Sequence, residues 1–332
     1  MSYYLNWIQK VTERKLTQHL QRAVLEKAAR KQKRTFKGEL FSWLDALVFA
    51  VVAVLLINQY IFQLFMIPTP SMVDTLLIKD RVFVSKTAYG TEVYPGGPKL
   101  FDSRTPLRDD VIVFYNPQYE SRGPFFDVLS QIVYMSTLSL VNIDVDEEGN
   151  LRERLYVKRA AAMGGDTVIF KEGNAQIQGG GMSTAVDDIL FRQDNGLSTA
   201  PKRTIDAAKY AGIKAYGSLL AYQDSGLNAN SPQHLIKDYK AISDYSGNMD
   251  YYQVDASRYA TLQQIDPSDF EARSTASHYR QGIYVPHGYV LPMGDNRDNS
   301  QDGRYFGPVS EEKIIGQVRF RFWPFTRFGS IS

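Results

Sequence analysis

The 332-residue chain has no cysteine, which excludes disulfide scaffolds, zinc-thiolate sites, iron-sulfur clusters and thiol nucleophiles. Histidine is scarce, with only His19, His234, His278 and His287, so chemistry that depends on imidazole has few places to sit. No GK[ST] follows the glycines at 179–181, and that stretch marks a turn, not a phosphate loop. Neither charge sign dominates: 38 Lys and Arg face 36 Asp and Glu, for a net charge of +2. With 44% hydrophobic and 22% charged residues the chain is not mainly disordered or collagen-like, and it lacks the repeated long apolar runs of a many-span transporter. Its length suits one large domain or two modest ones.

The small net charge conceals an asymmetry. Residues 1–40 hold ten basic and three acidic side chains, or +7, which leaves −5 for the rest. A basic head on a mildly acidic body suits either nucleic acid or an anionic membrane surface. The next segment decides for the membrane and against nucleic acid. Ala46–Ile57 is an unbroken apolar run, and apolar residues resume after Asn58 and Gln59 through Ile67. A helix over Ala46–Ile67 is about 33 Å long at 1.5 Å per residue, enough to cross a bilayer core of about 30 Å. Pro68 and Pro70 then stop it. The run starts too late for a cleaved secretory signal, so residues 44–67 are expected to be a single transmembrane anchor. By the positive-inside rule the basic head, residues 1–43, stays in the cytoplasm and everything after the anchor lies outside. Leu16, Leu20, Val24 and Ala28 recur at helical spacing, which predicts an amphipathic helix over 12–34 that is either solvated or laid on the inner leaflet.

Beyond the anchor the pattern is strand-like, with β-branched and aromatic runs at 81–86, 111–115, 155–159, 167–171, 289–293 and 317–323. These runs predict a mainly β fold class, with a β-rich domain over 68–172 and 283–328. Val128–Val141 reads as a packed or interfacial helix, and residues 173–282, polar, Tyr-rich and without helical periodicity, as an inserted subdomain of unknown role.

Three boxes carry the chemistry. Ile67-Pro68-Thr69-Pro70-Ser71-Met72 places a serine in a proline-restricted turn just past the anchor. A lone serine is usually a surface hydroxyl and becomes a nucleophile only beside a base. Histidine support for a triad is weak. Lysine is the other base, and Leu155-Tyr156-Val157-Lys158-Arg159 sets Lys158 among apolar neighbours where desolvation lowers its pKa; Lys79 and Lys86 are rivals by type. Gly294-Asp295-Asn296-Arg297-Asp298-Asn299-Ser300-Gln301-Asp302-Gly303-Arg304 is a turn-forming loop whose Asp and Arg side chains are expected to pair within it.

Together these boxes resemble the bacterial type I signal peptidases, membrane-anchored Ser/Lys proteases. The resemblance rests on IPTPSMVDTL, LRDDVIVF, YVKRAAAMGGDTV and MGDNRDNSQDGRYFGPV in that order and covers about 140 residues. It implies Ser71 as nucleophile, Lys158 as general base, an oxyanion hole from the Ser71 N–H and the Thr69 hydroxyl, and Ser300 orienting Lys158. It also implies Ile67, Pro68, Leu76, Tyr156 and Val157 as the lining of shallow pockets for small residues such as Ala, with Asp295, Arg297, Asp302 and Arg304 as the loop's scaffold. The implied activity is removal of signal peptides from preproteins at the bacterial inner membrane, with no metal or cofactor, and with the lipid bilayer and the translocation channel as partners. A Ser/Lys protease of one dedicated substrate and a non-catalytic paralogue that binds signal peptides or the secretion machinery are the alternatives. Three positions depart from the family pattern: Pro70 replaces a glycine, Asp74 a proline, and Ala162-Met163-Gly164-Gly165-Asp166 stands for G-x-P-G-D.

Overall fold

The computed structural model describes residues 16–27, 36–100, 104–136, 141, 143–147, 149, 152–197 and 201–331. Two compact units divide at Leu55/Leu56, within one helix.

In the first unit, residues 16–27 are helical (α1), inside the stretch where the leucine spacing predicts a helix; the flanks at 12–15 and 28–34 lie outside the described residues. Leu16, Leu20 and Val24 are all exposed. Helix α2 spans Phe36–Tyr60, and its Glu39–Tyr60 portion is long and apolar enough to cross a membrane. The helix ends seven residues before the expected Ile67. Phe62–Met66 is instead a strand, β1, paired antiparallel with β2 (Arg81–Ser85) from Phe62 opposite Ser85 to Met66 opposite Arg81. The reason lies in the polar residues that interrupt the apolar run. Gln59 Nε2 donates to Glu92 O at 3.1 Å and the Tyr60 hydroxyl to Val93 O at 2.9 Å, which ties the last helical turn to a loop. Past that tie, Phe62 stacks on Phe83, which stacks on Phe320, at 4.6 and 4.8 Å between ring centroids.

The second unit is built on an antiparallel sheet, in keeping with the mainly β class that the β-branched and aromatic runs predict. Its strands are β1, β2, β3 (Val111–Tyr115), β4 (Leu155–Met163), β9 (Tyr289–Met293), β10 (Val309–Ser310), β11 (Ile314–Trp323) and β12 (Gly329–Ser330). They run in the order β1-β2-β11-β3-β4-β9-β10, with β12 on β11. Successive residues of β3 alternate between two cores. Val111 and Val113 join Ile67, Met72, Leu76, Val82 and Val84, whereas Ile112 and Phe114 join Tyr89, Ala160, Val290 and Ile314 on the other face. Each such side chain, fully buried, contributes about 1.5–3 kcal/mol, so both faces hold the sheet.

A second sheet, in the order β7-β6-β5-β8, comprises β5 (Thr167–Lys171), β6 (Asn174–Gln178), β7 (Val186–Asp187) and β8 (Ile283–Tyr284). Helix α3 (Pro124–Ser136) covers the first part of the stretch Val128–Val141 expected to be helical; 137–140 lie outside the described residues, and Val141 is not helical. The segment 173–282 differs from expectation in two respects. It is largely helical, with α4 (Asp188–Asp194), α5 (Tyr210–Asp224), α6 (Gln233–Lys240), α7 (Tyr251–Ile265) and α8 (Phe270–Gln281). Nor does it part from the remainder, since residues 56–332 form one compact unit. Strands β6 and β7 bind it to β5, and Tyr252 of α7 packs with Val168 and Phe170 in the same core as Leu291 and Met293.

Candidate active site

Ser71 lies in a one-turn 3-10 helix, Pro70–Met72. Proline suits the first position of such a turn, because its missing N–H would have no partner there. Thr69 before it is extended (φ −121°, ψ 157°), the conformation a residue preceding proline prefers. The glycine of the family pattern is therefore dispensable here. The Thr69 hydroxyl is not used to cap the turn and lies 3.3 Å from Ser71 Oγ. Ser71 itself is buried.

Lys158 comes from β4, held in register by β3 (Ile112 opposite Lys158). Its Nζ stands 2.9 Å from Ser71 Oγ and donates to Val157 O at 3.2 Å. With only 4% of its surface exposed, burial lowers its pKa below the ordinary lysine value, against the opposing pull of Asp302, Glu153 and Asp295. The rival lysines fall elsewhere. Lys79 is exposed, and Lys86, although burial lowers it to about 8 against the pull of Glu92, does not line the serine's cleft.

That cleft, about 440 Å³, is lined by Ile67, Pro68, Thr69, Ser71, Met72, Tyr156, Val157, Lys158 and Ser300, together with Glu153, Leu155, Asn299 and Gln301. Four of the five expected pocket residues are there. Leu76 is not: it is 0% exposed and belongs to the core beneath. It shares that core with Val82 and Val84 of β2, so proximity to the serine in sequence misplaces it. Strand β9 pairs with β4 only from Arg159 onward, so on that side the backbone of 155–158 is left open toward the cleft.

The loop beginning at Gly294 approaches from the opposite wall. A Cβ on Gly294 would lie 2.2 Å from Ser300 Oγ and 2.6 Å from Ser71 O, so only glycine lets the two serines come this close. Asn296 N–H donates to Ser71 O at 3.0 Å and its side-chain amide to Pro70 O at 3.2 Å. The expected hydrogen bond between Ser300 and Lys158 is not formed; Ser300 Oγ is buried in the cleft wall without a partner among the described residues.

Pairing inside this loop is limited to Arg304 with Asp302, which also accepts the Gly294 N–H at 3.0 Å. The other three charges, Asp295, Arg297 and Asp298, reach outward, contrary to expectation, Asp298 to Arg203 at 2.9 Å. Asp295 is gripped by Arg159, Nε to Oδ1 and Nη2 to Oδ2, both at 2.8 Å, and accepts the Thr75 hydroxyl at 2.6 Å. Arg297 reaches Asp188 of α4 at 2.6 Å. Arg159 is fully buried, and its role was hidden by its neighbour: on β4 the residue after Lys158 points to the opposite face of the strand, toward Asp109 and Asp295. Asp74, at a proline position of the family pattern, is exposed and pairs with Lys202 at 3.0 Å.

The profile of the family described as "Signal peptidase, peptidase S26" matches residues 40–323. The chain belongs to that family. It is similar to the signal peptidase I of Haemophilus influenzae, 26% identical over 283 residues, covering 85% of this chain and 69% of that one. Similarity to the signal peptidase I of Aquifex aeolicus is also 26%, over 273 residues, with 81% and 78% covered. A signal peptidase IB of Staphylococcus aureus is 52% identical over 59 residues, 18% of this chain and 31% of that one.

The third departure from the S26 pattern is also sterically explained. A Cβ on Gly164 would stand 2.9 Å from His287 Cα and 3.0 Å from Pro286 O, where backbone cannot yield cheaply. Restoring the family's proline with Gly164→Pro is therefore expected to destabilise the chain by about 1–3 kcal/mol, read as a lower urea midpoint in detergent. An unchanged midpoint would refute this account of the glycine.

Proposed function

We propose that the chain is a membrane-anchored serine endopeptidase that removes signal peptides from preproteins, with Ser71 as nucleophile and Lys158 as general base. One observation carries this reading: a desolvated amine 2.9 Å from a buried serine hydroxyl, at the wall of an open cleft. The neutral amine takes the Ser71 proton as Oγ attacks the scissile carbonyl, then returns it to the leaving amine. The N–H of Ser71, in the first turn of a short helix, has no carbonyl to bond within that turn. With the Thr69 hydroxyl it forms the oxyanion hole. Residues 155–158 offer their open backbone edge to an extended substrate, whose alternate side chains enter the cleft beside Ile67, Pro68, Tyr156 and Val157.

Helix α2 anchors the protein in the bacterial inner membrane. The basic head faces the cytoplasm and the catalytic unit the outer side, where preproteins emerge from the translocation channel. Asp295, Arg297, Asp302 and Arg304 shape the wall behind the dyad. Incubating the detergent-solubilised chain with a precursor carrying an Ala-x-Ala site tests the reading. Cleavage at that site is expected, and binding without cleavage would favour a non-catalytic paralogue.

The pH dependence has a definite sign. Burial favours neutral Lys158, the form that accepts a proton, so kcat/KM rises as pH climbs through the lowered pKa and falls as Lys158 becomes charged below it. The acid limb is expected well below the ordinary lysine pKa of about 10.4. An acid limb at the ordinary lysine value would contradict the desolvated base.

A further inference from the structure

The segment between β5 and β8 supplies a strap, residues 201–205, to the back of the Gly294 loop, which in turn holds the nucleophile's turn. Lys202 N–H donates to Asp295 O at 2.7 Å and Arg297 N–H to Lys202 O at 3.0 Å, which fastens the strap on both sides of Asn296. Asn296 in turn holds Ser71 O and Pro70 O. Asp298, with its side chain fully buried, accepts Arg203 Nε at 2.9 Å, Ile205 N–H at 2.9 Å and Thr204 N–H. Arg203 then spreads the anchorage. Its Nη2 donates to Glu172 O at 3.1 Å and to the Tyr210 hydroxyl at 2.6 Å, and its Nη1 to Asn174 Oδ1. Tyr210, the first residue of α5, donates to Asp250, the N-cap of α7, at 3.0 Å.

We propose that Arg203 is a positioning residue for Ser71: through Asp298 it pins the strap, and the strap fixes the Asn296 contacts that set the height of the serine in the cleft. This inference rests on the Ser71/Lys158 reading. It gives the helical segment a task in the reaction, as the rigid footing of the nucleophile. A guanidinium suits that task because its planar fork fixes several acceptors at once, which an ammonium cannot do. Arg203 does not line the cleft, so loosening it alters the chemical step and leaves substrate binding little changed.

The test compares the full-length chain with Arg203→Met and Arg203→Lys in detergent, using one signal-peptide substrate. Arg203→Met is expected to lower kcat about ten-fold with KM within about two-fold, since small misplacements of a reacting group cost this much or more. Arg203→Lys, which keeps the charge and loses the fork, is expected to fall between and covers the case in which Arg203→Met does not fold. Hydrogen exchange at the Asn296 and Arg297 amides should quicken in both variants while that of Val113, deep in the sheet, does not. An active wild type with kcat unchanged in both variants overturns the positioning role alone, and so does a loss of kcat that only tracks a loss of folded protein. An inactive wild type overturns the proteolytic reading and this role with it.

Discussion

Lys158→Arg is expected to abolish cleavage as completely as Ser71→Ala, by about 10⁴-fold or more in kcat, although it keeps a basic side chain of similar length. The reason is protonic. Burial leaves a lysine at this position free to shed its proton, as the lowered pKa of Lys158 reflects, whereas an arginine keeps its charge at any pH a protein survives. Lys158→Ala should be equally inactive and should leave the sheet intact, because the flanking residues of β4 remain paired with β3. Since the two groups act as a unit, the Ser71→Ala/Lys158→Ala double variant should be no worse than either single one. The measurement is single-turnover cleavage of an Ala-x-Ala precursor, with circular dichroism to confirm folding. Substantial activity in Lys158→Arg would show that the residue serves only as a fixed positive charge, and the dyad would be refuted.

Ser71 and Lys158 stood out in the sequence only as candidates, a serine just after two prolines and a lysine among apolar strand neighbours, and it was the resemblance to the signal peptidases that chose them over Lys79 and Lys86. The strands were legible because β-branched and aromatic residues cluster there in short runs bounded by Gly, Pro, Asp or Asn. The helices of 173–282 were not, and the composition of α5 explains it. Its buried residues are Tyr210, Gly212, Ile213, Ala215, Gly217 and Ala221, and four of these six are Gly or Ala, which let helices approach closely but leave only a thin hydrophobic stripe to read. The far end of the apolar run misled for the opposite reason. Phe62, Leu64 and Phe65 suit a membrane helix and a sheet edge equally well, and only the β2 partner chooses. The outward reach of Asp295 and Arg297 was also invisible. The spacing of charges within a loop makes local pairing plausible, but the partners Arg159 and Asp188 stand 136 and 109 positions away. The unpartnered Ser300 hydroxyl marks the remaining gap between motif and geometry: the sequence places it in the right box, and the structure brings it to the cleft wall without the lysine contact.

Arg159→Met should cost about 3–5 kcal/mol of stability, the largest loss expected from one substitution in this chain, because it strands a buried carboxylate. Burial alone would push Asp295 up. The two hydrogen bonds and the charge of Arg159, with help from Thr75 and Arg297, overcome it and hold the carboxyl below its usual range. A depressed carboxylate contributes stability that is present above the unfolded pKa of about 3.9 and is lost as pH falls through the folded value. Without Arg159 the desolvation cost prevails and Asp295 rises. The deficit of Arg159→Met relative to wild type should therefore be greatest near neutral pH and shrink toward pH 4, as the stranded carboxyl takes up a proton. Pairing the substitution with Asp295→Leu should recover much of the loss, since removing both partners leaves no buried charge. Urea unfolding of the three variants at several pH values gives the answer. A deficit that is independent of pH, or a double variant no more stable than the single one, would mean that Arg159 contributes by packing alone and that the ion pair behind the cleft is incidental.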